Sequence, residues 1–223
     1  MSITQQQLNF SYLLWSDAFE ALAPNDSAHV DFWSATAGYG EPDRHYHDKS
    51  HVYTVLSEIH SRCDGLTSKE KGIAYLAAFY HDAVYIPGAI DNEERSADFA
   101  RNQLSNTRID RTVVDRICKI ILMTKYPNDT DDPIGNLVVD ADLAELGASW
   151  PTFLRNDAAI RREYARFSDK VYYPARRKFL TSLLEREYIY RTEEGRRNES
   201  IARQNMNQLL TMYSDWLPTI LNP

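Results

Sequence analysis

The sequence predicts an all-α fold. Apolar residues recur at helical spacing through most of its 223 residues. Helix start and stop residues punctuate that pattern. No succession of alternating strand patterns competes with it. In chain order, "FSYLLWSDAFEAL" has the spacing of an amphipathic helix, and "APNDS" breaks it. "ATAGYGEPDR" is a Gly/Pro loop leading into "RHYHDKSHV". "HVYTVLSEIHSRC" continues as a helix that Asp64-Gly65 stops. "TSKEKGIAYLAAFYHDAVY" opens on Thr67 and Glu70, the spacing of a capping box, and is apolar enough to be buried. "PGAIDN" turns the chain, and two amphipathic helices follow in "NEERSADFARNQLSN" and "DRTVVDRICKIILMTK". "YPNDTDDP" is a polar loop. "LVVDADLAELG" begins like a strand, but "ADLAELG" fits a helix ending at Gly147. The last third is charged and helical: "DAAIRREYARFSD", "ARRKFLTSLLERE" and "ESIARQNMNQLLTMYSDWL". One domain is expected over residues 1–223, with a core at about 44–147 and C-terminal helices at about 148–223 packed on it.

Composition narrows the function classes. A chain of this length with 43% hydrophobic residues can bury a core without staples. Its net charge of −7 is the wrong sign for binding long nucleic acids, which rests on neutralising phosphates. Cys63 and Cys118 form no disulfide framework and no CxxC. With no basic, apolar leader at the N-terminus, the expectation is a cytoplasmic protein, and the Asn25, Asn128 and Asn198 sequons read as chance. The longest apolar run, "IAYLAAFY", is too short to span a bilayer, so no membrane partner is expected.

Three stretches carry chemistry. "RHYHDKSHV" holds three of the six histidines, and His47 and His51 stand four apart, hence on one face of a helix. His81 and Asp82 are adjacent and follow a buried run, where an imidazole and a carboxylate are costly unless paired or metal-bound. Asp140 and Asp142 follow a further apolar pair. Nitrogen and oxygen donors of these kinds suit divalent Mn, Mg, Co, Ni, Zn or Fe. His60, nine residues from His51, falls on the opposite helix face and reads as structural; His29 and His45 read as surface or loop. Asp140 also fits a helix-capping role.

An early His, a His-Asp doublet and a distant Asp, in that order, resemble the HD superfamily of metal-dependent phosphohydrolases. "YHDKSHV", "FYHDAVY", "DNEERSA", "DADLAELG", "IRREY" and "IARQN" together resemble one uncharacterised branch of it, from about Arg44 to Asn205. The resemblance implies an HD-type helical domain that binds one divalent ion through His51, His81, Asp82 and Asp142, with Asp140 the lesser choice. "YHxxxH" is also similar to the cyclic nucleotide phosphodiesterases, which implies His47 as the acid that protonates the leaving oxygen. Arg44, Arg161, Arg176 and Arg203 lie in the resembling stretches and are the candidate phosphate-binding cations, since a guanidinium fork matches two phosphate oxygens. "DNEERSA" adds the carboxylates Asp91, Glu93 and Glu94, one of which is expected to orient the attacking water, with Glu94 and Asp91 put first. One departure is that no histidine follows "ILMTK", where relatives often carry one.

The implied activity is hydrolysis of a small phosphoester, a nucleotide first among them, with monoester and diester both open and a homo-oligomer also open. Two other classes compete. A di-iron oxygenase of the same fold needs additional histidine ligands, which this chain lacks. A non-catalytic nucleotide sensor has no need of an intact ligand set.

Overall fold

A computed structural model describes residues 3–26, 30–125 and 131–221, with side chains described as far as residue 214. Among these residues there is helix and no strand, as the periodicity predicts. The helices are α1 (Gln5–Leu22), α2 (Phe32–Ala35), α3 (Lys49–Ser61), α4 (Ser68–Tyr80), α5 (Asn92–Leu104), α6 (Arg111–Lys125), α7 (Pro133–Asp142), α8 (Trp150–Glu163), α9 (Asp169–Leu184), α10 (Glu193–Arg196) and α11 (Glu199–Leu221). Among the described residues no helix is long and apolar enough to cross a membrane. His29, Asn128 and most of the expected polar loop at 126–133 lie outside the described residues.

The chain forms two compact units, Met1–Asp142 and Leu143–Pro223, where the sequence suggested one domain with a core from about 44. The first unit is built around α4, which packs against α1, α3, α5, α6 and α7. Every residue of α4 from Gly72 to Tyr80 is buried, because the run offers no polar face to water. Its N-terminus is closed by the expected capping box, Thr67 with Glu70. Residues ahead of position 44 belong to this core, since Leu14, Trp15, Ala18 and Phe19 of α1 are all buried. Gly65 ends the α3 region at φ 86°, a backbone conformation that favours glycine.

Two element boundaries differ from expectation, and both bear on the site. α3 begins at Lys49, because the Asp48 carboxylate accepts from the backbone N–H groups of Ser50 (2.8 Å) and His51 (3.2 Å). His47 therefore precedes the helix and does not share a helical face with His51. α7 is ten residues long and ends at Asp142, with Pro133 first and Asp132 accepting from Ile134 and Gly135 at 3.0 and 3.1 Å. The Val138-Val139 pair is thus helical and buried, and "AELG" is a separate 3-10 turn, Ala144–Gly147.

The second unit has its own core of Phe153, Leu180, Leu183, Ile189, Tyr190, Met206, Leu209 and Tyr213. Asn205 fastens the 3-10 turn by donating to the carbonyls of Leu146 (2.9 Å) and Ala148 (2.8 Å).

Candidate metal centre

Three separate segments bring four donors together. His51 comes from the first turn of α3. His81 is the C-cap of α4 and keeps helical angles, with Asp82 in the turn after it. Asp142 is the last residue of α7. His51 Nε2 lies 3.2 Å from His81 Nε2, 3.1 Å from Asp142 Oδ1 and 3.8 Å from Asp82 Oδ2. His81 Nε2 lies 3.2 Å from Asp82 Oδ2 and 3.5 Å from Asp142 Oδ1. One donor atom from each residue lies within 4.8 Å of all the others, the only such His/Cys/Asp/Glu grouping among the described residues.

These spacings fit a metal ion. Imidazole nitrogen and carboxylate oxygen bind a first-row divalent ion at about 2.1 Å, so two ligands at a right angle stand about 3.0 Å apart and opposed ones about 4.2 Å. The imidazoles are buried, at 3% and 1% exposure, while the carboxylate side chains keep 14% and 22%. The centre thus has a dry imidazole side and a carboxylate side facing solvent. Four protein ligands close the shell of a tetrahedral ion and leave two positions open on an octahedral one. His81 Nδ1 faces the Ala78 carbonyl at 2.7 Å, which fixes the ring and turns Nε2 to the cluster.

The turn carrying Asp82 is held by residues ahead of α3. The Tyr39 hydroxyl donates to the Phe79 carbonyl (3.0 Å) and accepts from the Asp82 N–H (3.1 Å). Arg44 donates through Nη1 to the carbonyls of Asp82 and His47 and through Nη2 to that of Ala83 (3.1 Å), while Nε meets Glu41 at 3.2 Å. Gly38 is required here, since a Cβ on it would stand 2.3 Å from the Ala83 carbonyl oxygen. Arg44 is therefore a buried structural clamp, engaged by backbone carbonyls and Glu41. Arg44→Met leaves these carbonyls without their charged donor and should destabilise the metal-free protein by about 3 kcal/mol. Thermal or denaturant unfolding checks this, and a loss under about 1 kcal/mol would contradict it.

Electrostatics follow from the crowding. Burial alone would lower the His81 pKa, but the carboxylates of Asp82 and Asp142 outweigh it and hold it well above the ordinary histidine value. Burial pushes Asp82 up, but the imidazole of His81 dominates and brings it down to about 2. For Asp142 burial is likewise outweighed, by hydrogen bonds to His51 and His81, and its pKa falls far below the carboxylate range. An ion must displace a proton from His81, because a ligating imidazole is neutral. Metal affinity is therefore expected to rise with pH from below the ordinary histidine pKa until the raised His81 value is passed. Calorimetric titration in buffers of different ionisation enthalpy should detect the released proton; identical heats in all buffers would contradict it.

The remaining expected site residues fall into three groups. His47 sits beside the cluster, its ring centroid 5.7 Å from that of His51. Asp140, the lesser choice for the distal ligand, is fully buried within α7 and outside the donor group; being inside the helix, it does not cap it. Asp91 pairs with Arg95 at 2.8 Å and Glu94 with Lys125, both on exposed surface. Neither belongs to the donor group. Glu93, the third carboxylate of that stretch, is half-buried on the first turn of α5. Its pKa is raised, chiefly by burial and further by the charge of Asp82.

The other arginines are engaged within the second unit. Arg161 binds Asp169 (2.6 Å) and the carbonyls of Tyr164 and Phe167. Arg176 pairs with the buried Asp157 at 3.0 Å, which also accepts from the Tyr213 hydroxyl at 2.6 Å. Arg203 pairs with Glu199 (2.7 Å) and closes the chain by donating to the carbonyls of Leu184, Arg186 and Glu187. These contacts occupy every guanidinium nitrogen of Arg161 and Arg203, the two expected to bind phosphate along with Arg176 and Arg44.

No family model, curated protein or solved structure matches the chain.

Proposed function

We propose that this protein is a divalent-metal-dependent phosphohydrolase of the HD kind, acting on a small phosphoester such as a nucleotide. The observation that carries the reading is the convergence of His51, His81, Asp82 and Asp142 from three segments, in the chain order of that superfamily, with the carboxylate side facing solvent. These four residues would hold the ion, and Mn, Mg, Co, Ni, Zn and Fe all suit such donors. When bound, it supplies a water of lowered pKa and polarises a phosphoryl oxygen.

The chain's own residues supply the proton transfers. We assign His47, next to the donor group but outside it, to give a proton to the departing oxygen. Glu93, whose carboxyl is biased upward by burial and by Asp82, is suited to accept the proton of the attacking water. The buried imidazoles wall off one side and keep bulk solvent from it.

The test is a screen of metal-reconstituted protein against nucleotides and sugar phosphates, with Mn, Co, Ni, Mg and Zn in turn. Phosphate release with at least one pairing is expected. Full metal occupancy without release from any substrate would contradict the proposal.

A further inference from the structure

We propose that Tyr85 is a positioning residue: it sets the orientation of the His47 ring beside the donor group. This rests on the reading of His47 as the proton donor. Because α3 starts only at Lys49, no helical backbone fixes the His47 side chain. Its neighbours must do so. The His47 ring stacks on that of Tyr85, with centroids 4.0 Å apart and planes within 25°. Tyr46 meets the His47 ring edge-on at 4.8 Å and 89°. Arg44 ties the two together, with its guanidinium carbon 5.7 Å from the Tyr85 ring and Nη1 shared between the carbonyls of His47 and Asp82. A flat, face-to-face contact of this kind limits how far the imidazole can tilt.

Tyr85 is itself held on both sides. The Ser96 hydroxyl accepts from the Val84 N–H and donates to the Val84 carbonyl, both at 3.1 Å. The Asn92 amide accepts from the Ile86 N–H at 2.9 Å and donates to the Ile86 carbonyl at 3.1 Å. Both side chains are buried, at 0% and 6% exposure. The polar residues of "DNEERSA" thus have a physical purpose: they pin the residues before and after Tyr85. The chain of positioning runs from Asn92 and Ser96 to Tyr85, and from Tyr85 to His47.

The experiment uses Tyr85→Leu, Tyr85→Phe and, as a milder perturbation of the same support, Ser96→Ala. NMR of the metal-free protein reads the His47 ring protons directly. They should be shifted upfield by the Tyr85 ring in wild type and in Tyr85→Phe, and move toward free-imidazole positions in Tyr85→Leu. With metal, Tyr85→Leu should lose roughly tenfold or more in kcat on a nucleotide, as misplacement of a reacting group costs, with little change in KM. On a nitrophenyl phosphate, whose leaving group needs no proton, the loss should be under about twofold. In a His47→Ala background Tyr85→Leu should cost nothing further, and Ser96→Ala should follow the same pattern more weakly. Unshifted His47 protons in wild type, an equal loss on both substrates, or a further loss in the His47→Ala background would overturn the proposal. Turnover of Tyr85→Leu matching wild type would overturn it while leaving the hydrolase reading intact. Absence of any phosphoester turnover by wild type would overturn that reading and this proposal with it.

Discussion

Asp82→Ala is expected to remove the metal and the activity together. Asp82 contributes one of only two carboxylates in the donor group, and its oxygen lies 3.2 Å from His81 Nε2. Without it the ion loses a charged ligand and His81 loses the neighbour that anchors it electrostatically. His81→Ala should behave the same way. A native-state metal also stabilises by mass action, about 2.7 kcal/mol when the free ion is a hundredfold above its dissociation constant. That increment should disappear in both variants, so their melting temperatures should not respond to added metal. Elemental analysis and melting curves with and without metal check this; full metal content in Asp82→Ala would count against the assignment. Asp142→Ala should lose metal as well, while Asp140→Ala should keep it and lose stability alone.

His47→Ala is expected to keep its metal and lose turnover. The ring lies outside the donor group, so occupancy is unaffected. Loss of a general acid costs roughly a hundred- to ten-thousandfold. The loss should shrink on nitrophenyl substrates, because nitrophenolate departs without a proton. Comparing kcat for a nucleotide and a nitrophenyl ester separates the two cases. A variant crippled equally on both, or one stripped of its metal, would contradict the role.

The helical class and the candidate donor residues were legible because both rest on strong local patterns. The apolar run of α4 buries from every side, and the doublet at its end is carried inward with it. Asp142 and Asp140 differ only in which way a helix points them, and the end of α7 decides it. What was not legible depends on cap chemistry and long-range contact. One carboxylate, Asp48, moves the start of α3 past His47. Arg44 looked like a phosphate fork in the sequence. Its partners are the carbonyls of Asp82 and Ala83, 38 and 39 residues away, which no spacing rule reaches. "DNEERSA" drew attention to its charges, yet its uncharged Asn92 and Ser96 are the residues that are buried and bonded to the loop after the doublet. The unit boundary after Asp142 has no Pro/Gly linker to mark it, since α7 gives way directly to a 3-10 turn.

The most direct test of the metal centre is an anomalous-scattering map from crystals of the protein loaded with manganese. The account predicts one strong peak per chain about 2.1 Å from His51 Nε2, His81 Nε2, an Asp82 oxygen and an Asp142 oxygen, with His47 unligated. No peak among those four side chains, or an ion held by His47 or Asp140, would contradict it.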